Sequence, residues 1–175
     1  LSIEDALFIA NYIEIPDSEV DDSWLSLEYI EEFYEESPEE REAIVNKIIG
    51  DIRLEENDEV TGERISAISR ILKMGMKDRV KLAMKGDREA RNILIRDPNR
   101  VVAQGVIQNP KITEQEVEKI AAMRTVPDDV LRQIAINRKF ARNYIIMQNL
   151  ARNPRTPIGN VVSSLTRLQL RELQA

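Results

Sequence analysis

Four acidic residues near the N-terminus have the spacing of a calcium-binding loop. Asp17, Glu19 and Asp21 occupy positions 1, 3 and 5 of a twelve-residue segment, and Glu28 falls at position 12, where an EF-hand places its bidentate carboxylate. Position 6, however, is Asp22, although the sharp turn of such a loop requires glycine. We therefore favour the alternative that these acids are first-turn charges of a helix, which the helix dipole stabilises, and we expect no metal site.

The residue types of the commonest catalytic sites are scarce in this sequence. It contains no cysteine and no histidine, which excludes a thiol nucleophile, a thiolate metal site and the usual general base near neutral pH. It contains neither a glycine-rich phosphate loop nor a Gly-x-Ser-x-Gly turn. The adjacent acids Asp128 and Asp129 follow Pro127 and are explained as first-turn helix charges. We expect a protein that is not an enzyme and has no cofactor.

Basic residues in the C-terminal part form the main candidate binding surface. Cations on one face of a helical protein can bind phosphates. The candidates are Arg88, Arg91, Arg96, Arg100, Arg138, Lys139, Arg142, Arg152 and Arg155. Only Phe140 and Tyr144 supply aromatic rings in this part of the chain, so platforms for base stacking are few. The alternative is that these side chains cap helix carbonyls and pair with acids of neighbouring helices.

A second candidate binding element mixes aromatic and acidic residues near the N-terminus. Trp24, Tyr29 and Phe33 lie within the segment WLSLEYIEEFYEE, which is typical of an amphipathic helix that docks into a partner's groove. The alternative is that these rings fill the core of the N-terminal part.

Charge divides the chain into two parts of opposite sign. Residues 1–60 hold 20 acidic and 3 basic residues, whereas residues 61–175 hold 11 acidic and 22 basic ones. The polar stretch 53–64 separates the two and is the best candidate linker. We therefore predict an acidic helical segment at 1–60 and a basic helical repeat domain at 61–175. The two parts should attract each other, within one molecule or across a homodimer, or each should face its own partner.

Composition and periodicity favour an all-α fold. The chain is 42% hydrophobic but only 5% aromatic, so aliphatic side chains must form the core. Apolar runs are too short to cross a bilayer, and no signal-peptide pattern is present, which predicts a cytoplasmic protein that does not enter a membrane.

Helix ends are marked by proline and capping residues. Ser37 followed by Pro38 begins a helix, and two helices are expected before it. Eight short helices are predicted after it, at about 62–74, 76–85, 87–96, 98–108, 113–123, 127–136, 138–152 and 157–173.

Two parts of the sequence repeat. QNPKITEQEV at 108–117 matches RNPRTPIGNV at 152–161 with an offset of 44 residues, and EARNILIRD at 89–97 matches VLRQIAINR at 130–138 with an offset of 41. Units of about 40 residues with three helices have the size of armadillo-type repeats. Since one unit cannot bury its own apolar face, the units should stack into a right-handed α-solenoid.

Particular residues follow from this interpretation. Asn109 and Asn153 should be structural, with side chains that bond to backbone amides and hold the turns. The residues expected to be buried are Ile93, Leu94, Ala103, Val106, Ile107, Val117, Ile120, Leu131, Ile134, Ile146, Leu150, Val161 and Leu165.

Three segments resemble the bacterial leucine-rich repeat variant family. They are NPKITEQEVEKIA, TVPDDVLRQIAINR and ARNPRTPIGNVVSSL, within about residues 85–170. The family's Asn-Pro-x-Thr-Pro turn is matched from Asn153 to Pro157 and partly from Asn109 to Thr113. The period here is longer than that of the family, so the expectation stays broad: a HEAT-like, armadillo-like or leucine-rich-variant-like repeat protein. The resemblance implies contact with protein or nucleic acid through a concave surface.

Together these observations predict a non-enzymatic module that acts in protein–protein interaction or as a scaffold, with an unknown protein partner. The alternative is a nucleic-acid-binding repeat protein whose basic ridge is gated by the acidic N-terminal segment.

Overall fold

The chain folds into helices. A computed structural model describes residues 24–25, 33–57 and 59–174, and this part of the chain contains helices and no strand. The helices are α1 (Pro38–Glu56), α2 (Gly62–Lys73), α3 (Met76–Lys85), α4 (Arg88–Leu94), α5 (Arg100–Ile107), α6 (Glu114–Ala122), α7 (Asp128–Ile136), α8 (Arg138–Ala141), α9 (Tyr144–Arg152) and α10 (Ile158–Gln174). The all-α prediction is confirmed. None of these helices is long and apolar enough to span a bilayer.

Local capping explains where the helices begin. Ser37 and Glu40 form a capping box at the start of α1: the Ser37 hydroxyl accepts a hydrogen bond from the Glu40 amide at 3.2 Å, and the Glu40 carboxylate accepts one from the Ser37 amide at 2.8 Å. Thr113 and Glu116 form the same motif at α6. These side chains satisfy amides that a helix cannot satisfy internally.

One predicted helix is wrong. The segment 138–152 is divided into α8 and α9, because Asn143 takes an extended conformation (φ −84°, ψ 116°) and its side chain accepts a hydrogen bond from the Ile146 amide. Asparagine competes with the helix backbone in this way and favours caps over helix interiors. The first helix predicted before Ser37, and the acidic residues with calcium-loop spacing, lie outside the described residues. The second predicted helix is described only in part, and its residues Trp24 and Phe33 do not lie in a helix.

The chain forms two compact units that divide between Pro110 and Lys111. The predicted change of charge at residue 60 therefore falls inside the first unit, where α1 packs against α2. Residues 1–60 and 61–175 thus differ in charge, but the first compact unit contains residues from both ranges.

The same three-helix arrangement occurs in each unit. In the first unit α3 packs against α5, and α4 contacts both. In the second unit α6 packs against α9, and α7 contacts both. The first helices begin 38 residues apart, at Met76 and Glu114, and the third helices begin 44 residues apart, at Arg100 and Tyr144. The sequence repeat therefore corresponds to a repeated packing of helices.

Asn109 and Asn153 join the third helix to the first in each arrangement. The Asn109 side-chain amide donates to the carbonyls of Ala83 and Gly86 at 2.9 and 3.0 Å. The Asn153 amide donates to the carbonyls of Ala121 and Met123 at 2.8 and 2.7 Å. These carbonyls lie at the ends of α3 and α6, where a helix has no internal donor for them.

The predicted bond from a turn amide to the asparagine side chain is confirmed for Asn153, whose side-chain oxygen Oδ1 accepts from the Arg155 amide at 3.0 Å. The bonds to carbonyls 23 to 32 residues earlier in the chain were not predicted, since sequence alone does not show which helix ends lie nearby.

One further pair of asparagines occupies equivalent places. Asn99 caps α5 and Asn143 caps α9, and each side-chain amide also reaches the first residue of the first helix, Met76 or Glu114. The capping residue of the third helix thus contacts the start of the first helix in both units.

The two arrangements differ at one close contact. A Cβ on Gly105 would lie 3.1 Å from that of Ala83 and 3.4 Å from the Val80 carbonyl. The equivalent position on α9, 44 residues later, is Asn149, whose side chain donates to the Glu118 carbonyl at 2.9 Å. Glycine therefore allows a direct contact of helices in the first unit, whereas an asparagine hydrogen bond joins them in the second.

The predicted core is largely confirmed. Eleven of the residues are buried, namely Ile93, Leu94, Ala103, Val106, Ile107, Val117, Ile120, Leu131, Ile134, Ile146 and Leu150. The prediction is wrong for α10, where Val161 is half-buried and Leu165 is 46% exposed. In the described residues α10 packs mainly against α9, so one of its apolar faces is left open to solvent.

Replacing Asn109 by alanine should destabilise the protein strongly. The change leaves two buried carbonyls without this donor, and we expect the free energy of unfolding to fall by about 2 kcal/mol. Chemical denaturation followed by circular dichroism measures it. Asn46→Ala on the exposed face of α1 is the matched control and should change that free energy by less than about 0.5 kcal/mol. Equal effects of the two substitutions would contradict the role of Asn109.

Candidate functional site

The nine candidate basic residues do not form one surface. Arg91 is 6% exposed and donates to the Gly86 carbonyl at 3.0 Å. Arg96 is 2% exposed, bonds to Asn92 and forms an ion pair with Glu55. These two side chains hold helices together and cannot reach a ligand, which corrects their place in the predicted surface. Arg88 is exposed and Arg100 is half-buried.

In the second unit the remaining candidates lie at two ends of α9. Arg142 comes just before α9, and Arg152 is its last residue. Since α9 has nine residues, these ends are separated by about 13 Å along the helix axis. Arg155 lies beyond the second end, where it approaches Asp128 at 3.5 Å and the Arg124 carbonyl at 3.3 Å. The cations thus form two separate groups.

The group at α8 is a cluster of exposed cations. Arg138, Lys139 and Arg142 are all exposed, and the Phe140 ring between them is 2% exposed and anchors α8 in the core. The Lys139 ammonium lies 5.9 Å from the centroid of that ring, within the range of a cation–π contact. The short helix therefore presents three cations on a fixed support.

Local hydrogen bonds fix both ends of α8. The Asn137 side chain accepts from the Lys139 amide at 2.9 Å. At the other end the Asn143 side-chain amide donates to the carboxylates of Glu118 and Glu114 at 3.0 and 3.3 Å. These two carboxylates of α6 are the acidic neighbours of the basic cluster at this end.

Exposed apolar side chains flank the same cluster. Ile136 is 68% exposed, Tyr144 39% and Ile145 49%. We call Ile136, Arg138, Lys139, Arg142, Tyr144 and Ile145 the α8 surface. Around it the sequence is strongly basic, since residues 130–171 contain eight arginines and lysines and no aspartate or glutamate. The α8 surface can therefore bind a ligand that is both anionic and apolar.

A buried ionic cluster in the first unit was not predicted. The Arg79 side chain on α3 is 1% exposed and donates to both Glu36 oxygens at 2.7 Å and to the Asp97 carboxylate at 2.8 Å. Asp97 also accepts from the Asn99 amide at 2.8 Å. Nothing in the sequence marked Arg79 as the partner of Asp97, which lies 18 residues away in the chain.

Burial dominates the electrostatics of this cluster. Desolvation raises the pKa of Asp97 to about 6, although the neighbouring Arg79 guanidinium opposes this change. A carboxyl group with such a pKa is a candidate acid or base. The Asp97 side chain is 0% exposed and that of Glu36 only 3%, so neither carboxylate can touch a substrate in this conformation. We assign the cluster a structural role.

Ion pairs also connect the two parts of opposite charge. Glu36, Glu55 and Glu56 belong to the acidic part and pair with Arg79, Arg96 and Arg64 of the basic part, all within the first unit. The Arg64 hydrogen bond holds the pKa of Glu56 below its usual value. For these three acids the expected attraction takes place within one molecule. Attraction across a homodimer remains a prediction.

The N-terminal aromatic residues are only partly described. Trp24 and Phe33 are half-buried, and Tyr29 lies outside the described residues. Within the described ranges no group of three or more acidic side chains is arranged to hold a metal ion.

Removing the buried charge of Arg79 should lower the free energy of unfolding far more than removing an exposed charge. Arg79→Met leaves two buried carboxylates without their cation, and we expect the free energy of unfolding to fall by about 3–5 kcal/mol. Lys73→Met, at an exposed position of α2, also removes one positive charge and should lower the free energy of unfolding by less than about 1 kcal/mol. Urea denaturation of both variants measures the difference. Similar losses would show that the cluster does not stabilise the fold.

Asp97 should make the stability depend on pH. Its pKa is about 6 in the folded protein against a usual value of 3.8, so between these values the folded state binds more protons than the unfolded state. Protonation of Asp97 therefore stabilises the folded protein fully below about pH 4. This stabilisation, on the order of 2–3 kcal/mol, is lost as the pH rises to about 6.

Denaturation of the wild type and Asp97→Asn from pH 4 to pH 7 measures this contribution. The stability of the wild type relative to Asp97→Asn should fall across the window. The difference between the wild type and Asp128→Asn, at a 61% exposed side chain, should stay nearly constant. A flat difference for Asp97→Asn would show that the pKa of Asp97 is not raised.

Comparisons with known proteins assign this chain to no family. No protein-family model matches it, and neither a curated protein nor a solved structure matches it significantly. The resemblance of its Asn-Pro turns to the leucine-rich repeat variant family therefore remains a prediction. Its function has to be argued from the geometry of its own surfaces.

Proposed function

We propose that this chain is a non-enzymatic protein-interaction module that binds an acidic, partly apolar segment of a protein partner at the α8 surface. In this proposal the two three-helix arrangements are repeats of an α-solenoid, and α8 is an addition to the second repeat. The exposure of Arg138, Lys139 and Arg142 beside Ile136 and Ile145 carries the proposal.

The first repeat supports a binding role for α8 because it lacks such a surface. The connection between α4 and α5 spans residues 95–99, and its charged residues Arg96 and Asp97 are buried and paired. The corresponding connection between α7 and α9 contains α8 with its exposed cations. Packing of the repeat does not require this addition, as the first repeat forms without it.

The composition of the α8 surface favours a protein partner. Exposed isoleucine and tyrosine side chains beside cations suit a segment that alternates acidic and apolar residues, since both kinds of contact form at once.

Nucleic-acid binding is the second candidate, and the three cations of the α8 surface favour it. Three phosphate contacts predict a salt slope of only about −2 to −3 in log–log form. Arg91 and Arg96 are buried, and Arg152 and Arg155 lie at the other end of α9. The predicted basic residues therefore do not form a continuous row of cations that could contact many successive phosphates.

Reversing the charge of the α8 surface should distinguish binding of a protein segment from binding of nucleic acid. We would titrate the full chain with a fluorescent peptide that alternates glutamate with leucine and phenylalanine, and with duplex and single-stranded oligonucleotides, across a salt series. Arg138→Glu/Arg142→Glu should weaken peptide binding about tenfold or more, which corresponds to about 1.4 kcal/mol. Part of the affinity should persist at high salt because apolar contacts are not screened.

The matched control reverses two exposed cations elsewhere. Arg70→Glu/Lys73→Glu on α2 changes the net charge by the same amount and should leave peptide affinity nearly unchanged. Equal weakening by both double variants would show attraction by net charge alone and contradict the α8 surface. Binding to oligonucleotides only, abolished by salt, would favour the second candidate.

A further inference from the structure

The Glu36 carboxylate joins the first unit from outside its helices. It lies in residues 33–37, a stretch without regular secondary structure before α1. Its side chain is nevertheless only 3% exposed, and both of its oxygens accept from the Arg79 guanidinium at 2.7 Å. Arg79 belongs to α3, 43 residues further along the chain. A buried ion pair therefore fastens the stretch before α1 to a helix of the three-helix arrangement.

The second unit builds the same arrangement without these charges. Helices α3 and α6 begin 38 residues apart, which places Val117 of α6 at the position of Arg79. Helices α5 and α9 begin 44 residues apart, which places Ala141 at the position of Asp97. Val117 is 0% exposed, so an apolar side chain fills the place of the guanidinium. Packing of the three helices thus requires neither charge, as apolar residues can often replace a buried ion pair.

At the centre of the cluster one cation faces two carboxylates. Arg79 donates to Glu36 and also, at 2.8 Å, to Asp97, whose side chain is 0% exposed. Around them, Arg41 of α1 lies 3.9 Å from Glu36 with a side chain 33% exposed, and the uncharged Asn99 amide donates to Asp97. Two like charges therefore share one buried guanidinium, and each weakens the attraction of the other to it.

The protonation of Asp97 is consequently coupled to the position of Glu36. Burial and the Glu36 carboxylate raise the pKa of Asp97 to about 6, against the opposing effects of Arg79 and the Asn99 amide. Since an attached Glu36 favours the protonated form of Asp97, the protonated form in turn favours attachment of Glu36. A proton on Asp97 removes the repulsion and leaves the charge of Arg79 to Glu36 alone.

We propose that Glu36, Arg79 and Asp97 form a proton-sensitive latch, in which a proton on Asp97 tightens the attachment of residues 33–37 to α3 and loss of that proton loosens it. The attachment is tightest at acidic pH and weakens as the pH rises through the pKa of Asp97. After Glu36 leaves, Asp97 still balances Arg79, so opening exposes no unpaired cation. Residues 33–37 precede α1, and α1 keeps its packing against α2.

Titration of the Asp97 carboxyl group by NMR in the full chain tests the coupling. Glu36→Gln preserves the size of the side chain and removes the like charge, so it should lower the pKa of Asp97 by about one pH unit. Glu35→Gln, at the exposed neighbouring position, is the matched control and should leave that pKa unchanged. The same pKa of Asp97 in the wild type and in Glu36→Gln would overturn the proposal.

Urea denaturation provides the reciprocal measurement. Glu36→Gln should lower the equilibrium constant for folding about three- to tenfold more at pH 5 than at pH 7.5, because one pH unit in a pKa corresponds to a tenfold change in an equilibrium constant. In an Asp97→Asn background the effect of Glu36→Gln should be equal at the two pH values. An effect that varies with pH to the same extent in both backgrounds would contradict the latch.

Hydrogen exchange shows whether the loosening is local. The Ser37 amide directly follows Glu36 and donates to the Glu40 carboxylate at 2.8 Å. Its protection factor should fall several-fold from pH 5 to pH 7.5 in the wild type and stay constant in Asp97→Asn, while amides in the middle of α1 remain protected. Constant protection of Ser37 in the wild type, or an equal loss of protection throughout α1, would show that no such latch opens.

Discussion

The unsatisfied carbonyls at the ends of short helices are the constraint on which this fold depends. A helix of seven to ten residues, such as α3 to α7 and α9, leaves its last four carbonyls without an internal donor, which is about half of its backbone acceptors. Asn109 and Asn153 supply donors from another helix. The same bonds that satisfy the first helix also fix the third helix against it, so capping and tertiary packing are one interaction.

Burial divides the arginines into two classes with different consequences. Arg79, Arg91 and Arg96 lie inside the protein and bind carboxylates or carbonyls, which is favourable because a buried cation without partners would be very costly. Arg138 and Arg142 lie outside, on a helix anchored by Phe140. Hence three arginines of the first unit are paired internally, whereas Arg138 and Arg142 of the second unit form part of an exposed surface.

The proposed α8 surface is a departure from the three-helix arrangement that both units share. It stands where the first unit has a short connection with buried charges. Repeats need similar residues where helices pack on one another. Exposed positions that differ between repeats are not held by packing, which is why function is best sought there.

Most of the helix boundaries and most of the core could be predicted from the sequence alone, although the division of the predicted helix 138–152 could not. Caps such as Ser37 act on amides three residues away, and apolar periodicity acts within one helix, so both can be recognised locally. Tertiary structure decided which charges are buried. Arg79 meets Asp97 and Glu36 across 18 and 43 residues of chain, and Arg91 and Arg96 differ from Arg138 only in what packs over them. It also decided that Ile158, Val162 and Leu165 of α10 are exposed in the described part of the chain, since burial of a side chain depends on helices remote in sequence.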